Sequence, residues 1–109
     1  MTMTMKTSEL AGAALDWAVA KCAGITWEQG DLDAGEYGPG FKPSTDWTHG
    51  GPIIEREGIE LFRNKERDRW YGTQYGGPKS YGPAPLVAAM RCFVASRLGD
   101  EVELPEELK

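Results

Sequence analysis

The residues best suited to chemistry lie together in the stretch PSTDWTHGGPII, residues 43–54. Its two adjacent glycines would let the backbone approach a ligand closely, and its hydroxyl side chains add hydrogen-bond donors. A helix that begins at Pro52 would point unpaired N–H groups back toward these residues, and such helix ends bind phosphate, sulfate or carboxylate. The sequence therefore predicts a ligand-binding loop. Its candidate residues are Ser44, Thr45, Asp46, Trp47, Thr48, His49, Gly50 and Gly51.

The same stretch also has a purely structural interpretation, which the sequence leaves open. Ser44, Thr45 and Asp46 are common turn and helix-capping residues. Trp47 offers a flat face for a base or an aromatic ring, but it could equally fill the core. Under this interpretation the stretch does no more than start a helix.

Two residues outside the stretch complete the candidate site. Arg56 could reach an anion held by the loop, or it could pair with Asp46. Tyr81 lies in a second Gly/Pro-rich loop, GGPKSYGPAP, just before another predicted helix. If the two helix starts converge, they form one cleft, and Tyr81 stacks against the ligand that Trp47 contacts.

Ser44, Asp46 and His49 supply the residue types of a nucleophile with an acid–base pair. Their spacing matches no hydrolase signature, and the stretch lacks the strand, Gly-x-Ser-x-Gly turn and helix that expose a nucleophilic serine. We assign no catalytic residue, and a small enzyme that uses His49 and Asp46 is the least favoured interpretation. The single histidine and the dispersed Cys22 and Cys92 lack the spacing of a zinc site, so neither a metal nor another cofactor is predicted.

The charge balance limits the partners. The chain has 12 Lys and Arg against 17 Asp and Glu, a net charge of −5. Its one basic cluster, RNKERDR at residues 63–69, is diluted by Glu66 and Asp68, so direct binding of nucleic acid is disfavoured. No stretch has the length of a transmembrane helix, and MTMTMKTSEL lacks the apolar core of a signal peptide. We therefore expect a cytosolic protein with no membrane partner.

Helical periodicity appears at two long segments. The spacing of apolar residues predicts a helix over residues 8–23, with Asp16 on its exposed side, and a second helix over residues 85–98. A short helix is expected to begin at Pro52, because proline is favoured at the first helical position.

Strand patterns and turn residues complete the fold prediction. Residues 59–63 and 69–75 alternate in the manner of strands and would form a β-hairpin. We predict an α+β fold in which two main helices pack on this small antiparallel hairpin or sheet. The long connection over residues 24–52 is predicted to be an ordered loop, because it is rich in aromatic residues as well as in glycine and proline.

At this length the chain is expected to hold one domain. We predict a disordered N-terminal extension at residues 1–6, a single α+β domain at residues 7–104, and a frayed acidic C-terminus at residues 105–109. A core and a sheet this small gain from a partner, which makes a homodimer plausible.

Three long blocks of the sequence resemble one known family. They are MKTSELAGAALDWAVAKCAG, PSTDWTHGGPIIEREGIEL and GPAPLVAAMRCFVASRLGDEVELPEEL, which together span most of the chain from Met5 onward. These blocks are similar to the NinX-like proteins of lambdoid and related phages and prophages, a domain family of unknown function. The resemblance implies a phage origin and an accessory role in the host cytoplasm, and it supplies no catalytic residues.

Residue chemistry and resemblance together predict a non-catalytic binding module. Its partner would be a host protein or a small anionic ligand such as a nucleotide, and the module could counteract host physiology or defence. The alternative is a purely protein-interaction module that docks a host factor through its acidic surface and exposed aromatic residues.

Overall fold

The computed structural model describes residues 2–24 and 41–105. Within these ranges three helices and two small antiparallel sheets confirm the predicted α+β class. In chain order the elements are β1 (Thr2–Lys6), a 3₁₀ turn (Thr7–Glu9), α1 (Gly12–Cys22), α2 (Trp47–Glu57), β2 (Ile59–Asn64), β3 (Arg69–Gln74), β4 (Ser80–Gly82), α3 (Pro85–Leu98) and β5 (Glu101–Pro105).

The larger sheet is a three-stranded meander in the order β2–β3–β4, and it contains the predicted hairpin. Phe62 of β2 lies opposite Tyr71 of β3, and Tyr71 lies opposite Tyr81 of β4. Strand β4 was not predicted, because its three residues lie between Gly/Pro-rich turns. The predicted two-stranded hairpin is thus extended by one short edge strand.

Helix α3 lies at the centre of the fold and contacts all three strands of this sheet as well as α1. The helix can lie close to the sheet because glycines face it. A Cβ atom placed on Gly82 would lie 2.8 Å from the amide nitrogen of Ala88, and one on Gly72 would lie 3.3 Å from the Ala88 carbonyl oxygen. Both ends of α3 agree with the sequence, with Pro85 in its first turn and Gly99 at its C-cap with φ 86°.

The smaller sheet is a ribbon of β1 and β5, the two ends of the described chain. Buried Val102 and Leu104 of β5 lie opposite Met5 and Met3 of β1. They extend the core that α1 and α3 form. The largest fully buried apolar side chains of that core are Phe93, Leu10, Leu15, Met90, Leu104, Val19 and Val94.

Strand β1 corrects the prediction of a disordered N-terminal extension, since Thr2–Lys6 pair with β5 along their whole length. Thr7 then fastens the chain, because its N–H donates to the carbonyl of Asp100 at 2.8 Å and its hydroxyl donates to the carbonyl of Gly99 at 2.6 Å. Pro105, predicted to be frayed, is the last residue of β5.

Helix α1 is shorter than predicted, because residues 7–9 form a separate 3₁₀ turn and α1 begins only at Gly12. Cys22 and Cys92 are free cysteines, on α1 and α3. No described helix is long and apolar enough to span a membrane. Most of the predicted ordered loop, residues 25–40, and the remaining predicted frayed end, residues 106–109, lie outside the described residues.

Candidate functional site

The start of α2 differs from the prediction that Pro52 is its first residue. The helix begins five residues earlier at Trp47, and Pro52 lies inside it. Asp46 is the N-cap, with a carboxylate oxygen that accepts from the Thr48 N–H at 2.9 Å, and this bond lowers the pKa of Asp46. We call residues 41–51 the helix-start segment. Gly50 and Gly51 are therefore part of the helix. The N–H groups at the start of α2 follow Asp46, and not Gly51 as was predicted.

His49 is engaged in holding this segment together. Its Nδ1 accepts a hydrogen bond from the Lys42 N–H at 3.0 Å. The ring centre lies 5.4 Å from that of Phe41, and the side chain is only 10% exposed. An Asp46 carboxylate oxygen is 3.9 Å from Nδ1. The histidine that sequence reasoning considered as an acid–base group thus has a structural role here.

A buried carboxylate from α1 anchors the same segment. Asp16 accepts from the Ser44 N–H at 2.8 Å, and both residues are buried. Burial raises the pKa of the Asp16 carboxyl, although hydrogen bonding to Ser44 opposes the rise. The prediction that Asp16 lies on the exposed side of α1 is wrong, because an amide 28 residues away satisfies its carboxylate.

The two adjacent glycines of α2 have different surroundings. A Cβ atom on Gly50 would lie 2.5 Å from the Pro43 carbonyl oxygen and 2.7 Å from Cδ2 of Leu86. A Cβ atom on Gly51 would have no neighbour within 4 Å. Gly50 therefore permits α2 to pack against the turn before it and against the start of α3, whereas Gly51 meets no such constraint.

The remaining candidates on α2 and its approach are accessible to solvent. Trp47 is 55% exposed and does not fill the core, and Thr45 and Thr48 are exposed as well. Arg56 does not pair with Asp46. Its Nε donates to the carboxylate of Glu57 at 3.1 Å.

Tyr81 lies in a different place, a cleft of about 840 Å³ that no residue of 41–57 lines. One wall is β4 with the loop before it, the other is the chain around Thr7 with Asp100 and Glu101, and α3 contributes Arg91 and Ala95. The structure therefore does not bring Tyr81 together with the helix-start segment in one cleft.

Four cationic side chains line this cleft, namely Lys6, Arg69, Lys79 and Arg91. Arg91 is half-buried. Its Nε donates to the Leu10 carbonyl and its Nη1 to the Tyr81 carbonyl, both at 2.8 Å. Burial lowers the pKa of the Arg91 guanidinium. Arg91 therefore links the chain at Leu10 to β4 through neutral acceptors, which do not neutralise its guanidinium charge at the cleft.

Arg69 stacks on the aromatic residue of the cleft. The central carbon of its guanidinium lies 3.9 Å from the centre of the Tyr81 ring. Its Nε atom is buried and has no hydrogen-bond partner among the described residues. A cation placed over a ring in this way is held in position, and the planar guanidinium can still receive an oxyanion.

Carboxylates are present in the cleft but do not neutralise these cations. Asp68 pairs with Arg63, which does not line the cleft, and Asp100 and Glu101 are exposed. Within residues 2–24 and 41–105, none of the four cations has a carboxylate oxygen within 4 Å. In a chain of net charge −5, this is a local surface with four cations and three carboxylates. Such a surface can bind an anion.

Sequence reasoning missed most of this cleft. It discounted the basic segment 63–69 because Glu66 and Asp68 lie within it. In the structure Asp68 pairs with Arg63, and Arg69 has no carboxylate partner in the described part of the chain. The alternation of β3 was a usable signal, because it places Arg69 and Tyr71 on the same face of the sheet. Lys6 and Arg91 reach the cleft through contacts between distant parts of the chain, and no sequence pattern predicts such contacts.

Comparison with known proteins identifies the family of this chain. No curated protein matches the chain. The family described as "Bacteriophage P22, NinX" matches residues 6–97, which include the helix-start segment, the three-stranded sheet and nearly all of α3. That span covers most of the chain and confirms the resemblance seen in the sequence. The chain belongs to the bacteriophage P22 NinX family.

Proposed function

We propose that this phage accessory protein is a non-catalytic binding module for a small anionic ligand, which it binds in the cleft beside β4. One observation carries the proposal, namely that the four cations of the cleft have no carboxylate partner among residues 2–24 and 41–105. We place the module in the host cytoplasm, where holding such a ligand would counteract host physiology or defence.

The physical argument rests on desolvation. A partly buried guanidinium loses hydration, and in a stable fold a carboxylate commonly offsets that cost. Among the described residues, two carbonyl oxygens offset this cost at Arg91, and the ring of Tyr81 offsets it at Arg69. A bound phosphate or carboxylate would add charge-assisted hydrogen bonds to both arginines.

Titration calorimetry with inorganic triphosphate tests the proposal. Arg69→Gln removes a cleft cation, and Arg67→Gln removes the same charge from the same hairpin without touching the cleft. We expect Arg69→Gln to weaken binding at least about tenfold, since a hydrogen bond to a charged group contributes about 1.5–3 kcal/mol. Arg67→Gln should bind nearly as the wild type does. Equal losses in the two variants, or no binding by the wild type, would refute the cleft as the site.

A second candidate function is docking of a host protein, which exposed Trp47 favours. Tryptophan is enriched among the residues that contribute most to protein interfaces, and this one is 55% exposed at the start of α2. Trp47→Ala should abolish capture of a host protein and leave triphosphate binding unchanged. A homodimer is tested with the same variant, by comparing sedimentation of the wild type and Trp47→Ala.

A further inference from the structure

A row of three aromatic rings crosses the three-stranded sheet. Phe62, Tyr71 and Tyr81 are cross-strand neighbours on β2, β3 and β4. The ring centres of Phe62 and Tyr71 are 5.2 Å apart, and those of Tyr71 and Tyr81 are 5.8 Å apart. We call these three residues the aromatic row.

The aromatic row lies on the face of the sheet that α3 does not cover. Side chains alternate between the two faces of a strand. Gly72 and Gly82, the neighbours of Tyr71 and Tyr81, face α3 at close range, so the two tyrosines point the other way. Phe62 is 42% exposed, and both tyrosines are partly exposed. The row is therefore accessible to a ligand.

The row is continuous with the cleft, because Tyr81 belongs to both. Cations already occupy positions over its rings. The Lys79 ammonium lies 4.9 Å from the centre of the Tyr71 ring, and Arg69 stacks on Tyr81. The flat apolar surface of the aromatic row thus lies next to the cations of the cleft. The Lys79 side chain is long enough to move from the Tyr71 ring to a bound ligand.

We propose that the anionic ligand is a mononucleotide, whose phosphates enter the cleft while its base stacks on Tyr71 and Phe62. This inference rests on the proposed function and adds the chemical class of the ligand. Aromatic side chains bind nucleobases through their π-faces, and arginine stacks in the same way. The cations gather at one end of the row, and the chain has a net charge of −5, so the short phosphate chain of one nucleotide rather than a long polyanion fits the surface.

Calorimetric titrations with adenosine triphosphate, inorganic triphosphate and adenosine separate the two parts of the ligand. The wild type should bind adenosine triphosphate between about 5-fold and about 150-fold more tightly than inorganic triphosphate, because stacking of one base contributes about 1–3 kcal/mol. Tyr71→Leu should remove most of this advantage, so that the two compounds bind this variant with nearly equal affinity. Tyr75→Leu is the matched control, since Tyr75 is 84% exposed and lies outside the row.

Each outcome decides between the two proposals. If inorganic triphosphate binds as tightly as the nucleotide and Tyr71→Leu changes neither, the base site is refuted and the anion site stands. If neither compound binds, both proposals fail. Tighter binding of a short single-stranded oligonucleotide than of the nucleotide would overturn the mononucleotide. Should Tyr71→Leu unfold, Phe62→Leu replaces it, because Phe62 is more exposed and its substitution exposes no core.

Discussion

The helix-start segment and the cleft are both rich in polar side chains, yet they differ in how those groups are paired. In the helix-start segment Asp46 caps α2, His49 accepts from Lys42, and Asp16 holds the Ser44 amide. In the cleft, carbonyl oxygens hold Arg91 and the Tyr81 ring lies under Arg69, and no described carboxylate pairs with either arginine. Residue types alone suggest where a site could be. The hydrogen bonds and ion pairs of each polar group show whether that group already stabilises the fold.

The largest expected effect tests whether the glycines of the helix-start segment are structural. Gly50→Ala should destabilise the protein by about 3 kcal/mol, the upper part of the usual overpacking range, because the new Cβ meets a backbone oxygen. Gly51→Ala has free space and should stabilise the helix by about 0.5–1 kcal/mol. Urea denaturation of both variants measures the difference. Equal stabilities would contradict the packing described at Gly50.

Removal of the buried carboxylate should have the next largest effect. Asp16→Ala leaves the Ser44 N–H buried without its acceptor, which costs about 1–3 kcal/mol. Asp16→Asn keeps an oxygen at the same position and should lose less. If chemical denaturation shows the two variants equally stable, the hydrogen bond does not anchor the helix-start segment.

Loss of the cap of α2 should have a smaller effect. Asp46→Ala removes the acceptor of the Thr48 N–H and should cost about 1 kcal/mol, as loss of an N-cap usually does. Thr45→Ala, one residue earlier and exposed, should change the free energy of unfolding by less than about 0.5 kcal/mol. A thermal melt in which Thr45→Ala is the more damaging substitution would contradict the assignment of Asp46 as the cap of α2.

The smallest expected effect is a pH dependence of Asp16, for which we predict the sign. Burial raises its pKa in the folded state above that in the unfolded state, so the folded protein binds more protons between the two values. Stability contributed by Asp16 must then fall as pH rises from about 4 through the raised value. The free energy of unfolding of the wild type minus that of Asp16→Asn should be smaller at pH 6 than at pH 3.5, as measured by urea titration. A difference that grows with pH would contradict the raised pKa.

Local patterns predicted the local parts of this fold. Proline and glycine mark both ends of α3, and alternation identified the β2–β3 hairpin. Strand β1 escaped prediction because its partner β5 is at the other end of the chain. The start of α2 was misplaced because Gly50, Gly51 and Pro52 usually interrupt or start helices, whereas here Gly50 is required by close packing.

The candidate site could be predicted only in part, for the same reason. Tyr81 was identified from its loop, which also holds Lys79, but Lys6, Arg69 and Arg91 come from other elements. The positions of Lys6, Lys79 and Arg91 follow from the pairing of β1 with β5 and from the packing of β4 on α3. Binding at residues 44–51 stays a prediction, and the cleft is the alternative site.

The central claim is that the cleft, and not the helix-start segment, binds the anion, and one NMR titration tests it directly. Inorganic triphosphate is added to isotopically labelled protein, and the backbone amide signals of both regions are followed. We predict progressive shifts at Ser80, Tyr81 and Gly82 that saturate with ligand, and no comparable shifts at residues 44–51. Saturating shifts at Trp47 and Thr48 with an unchanged Tyr81 would contradict the account.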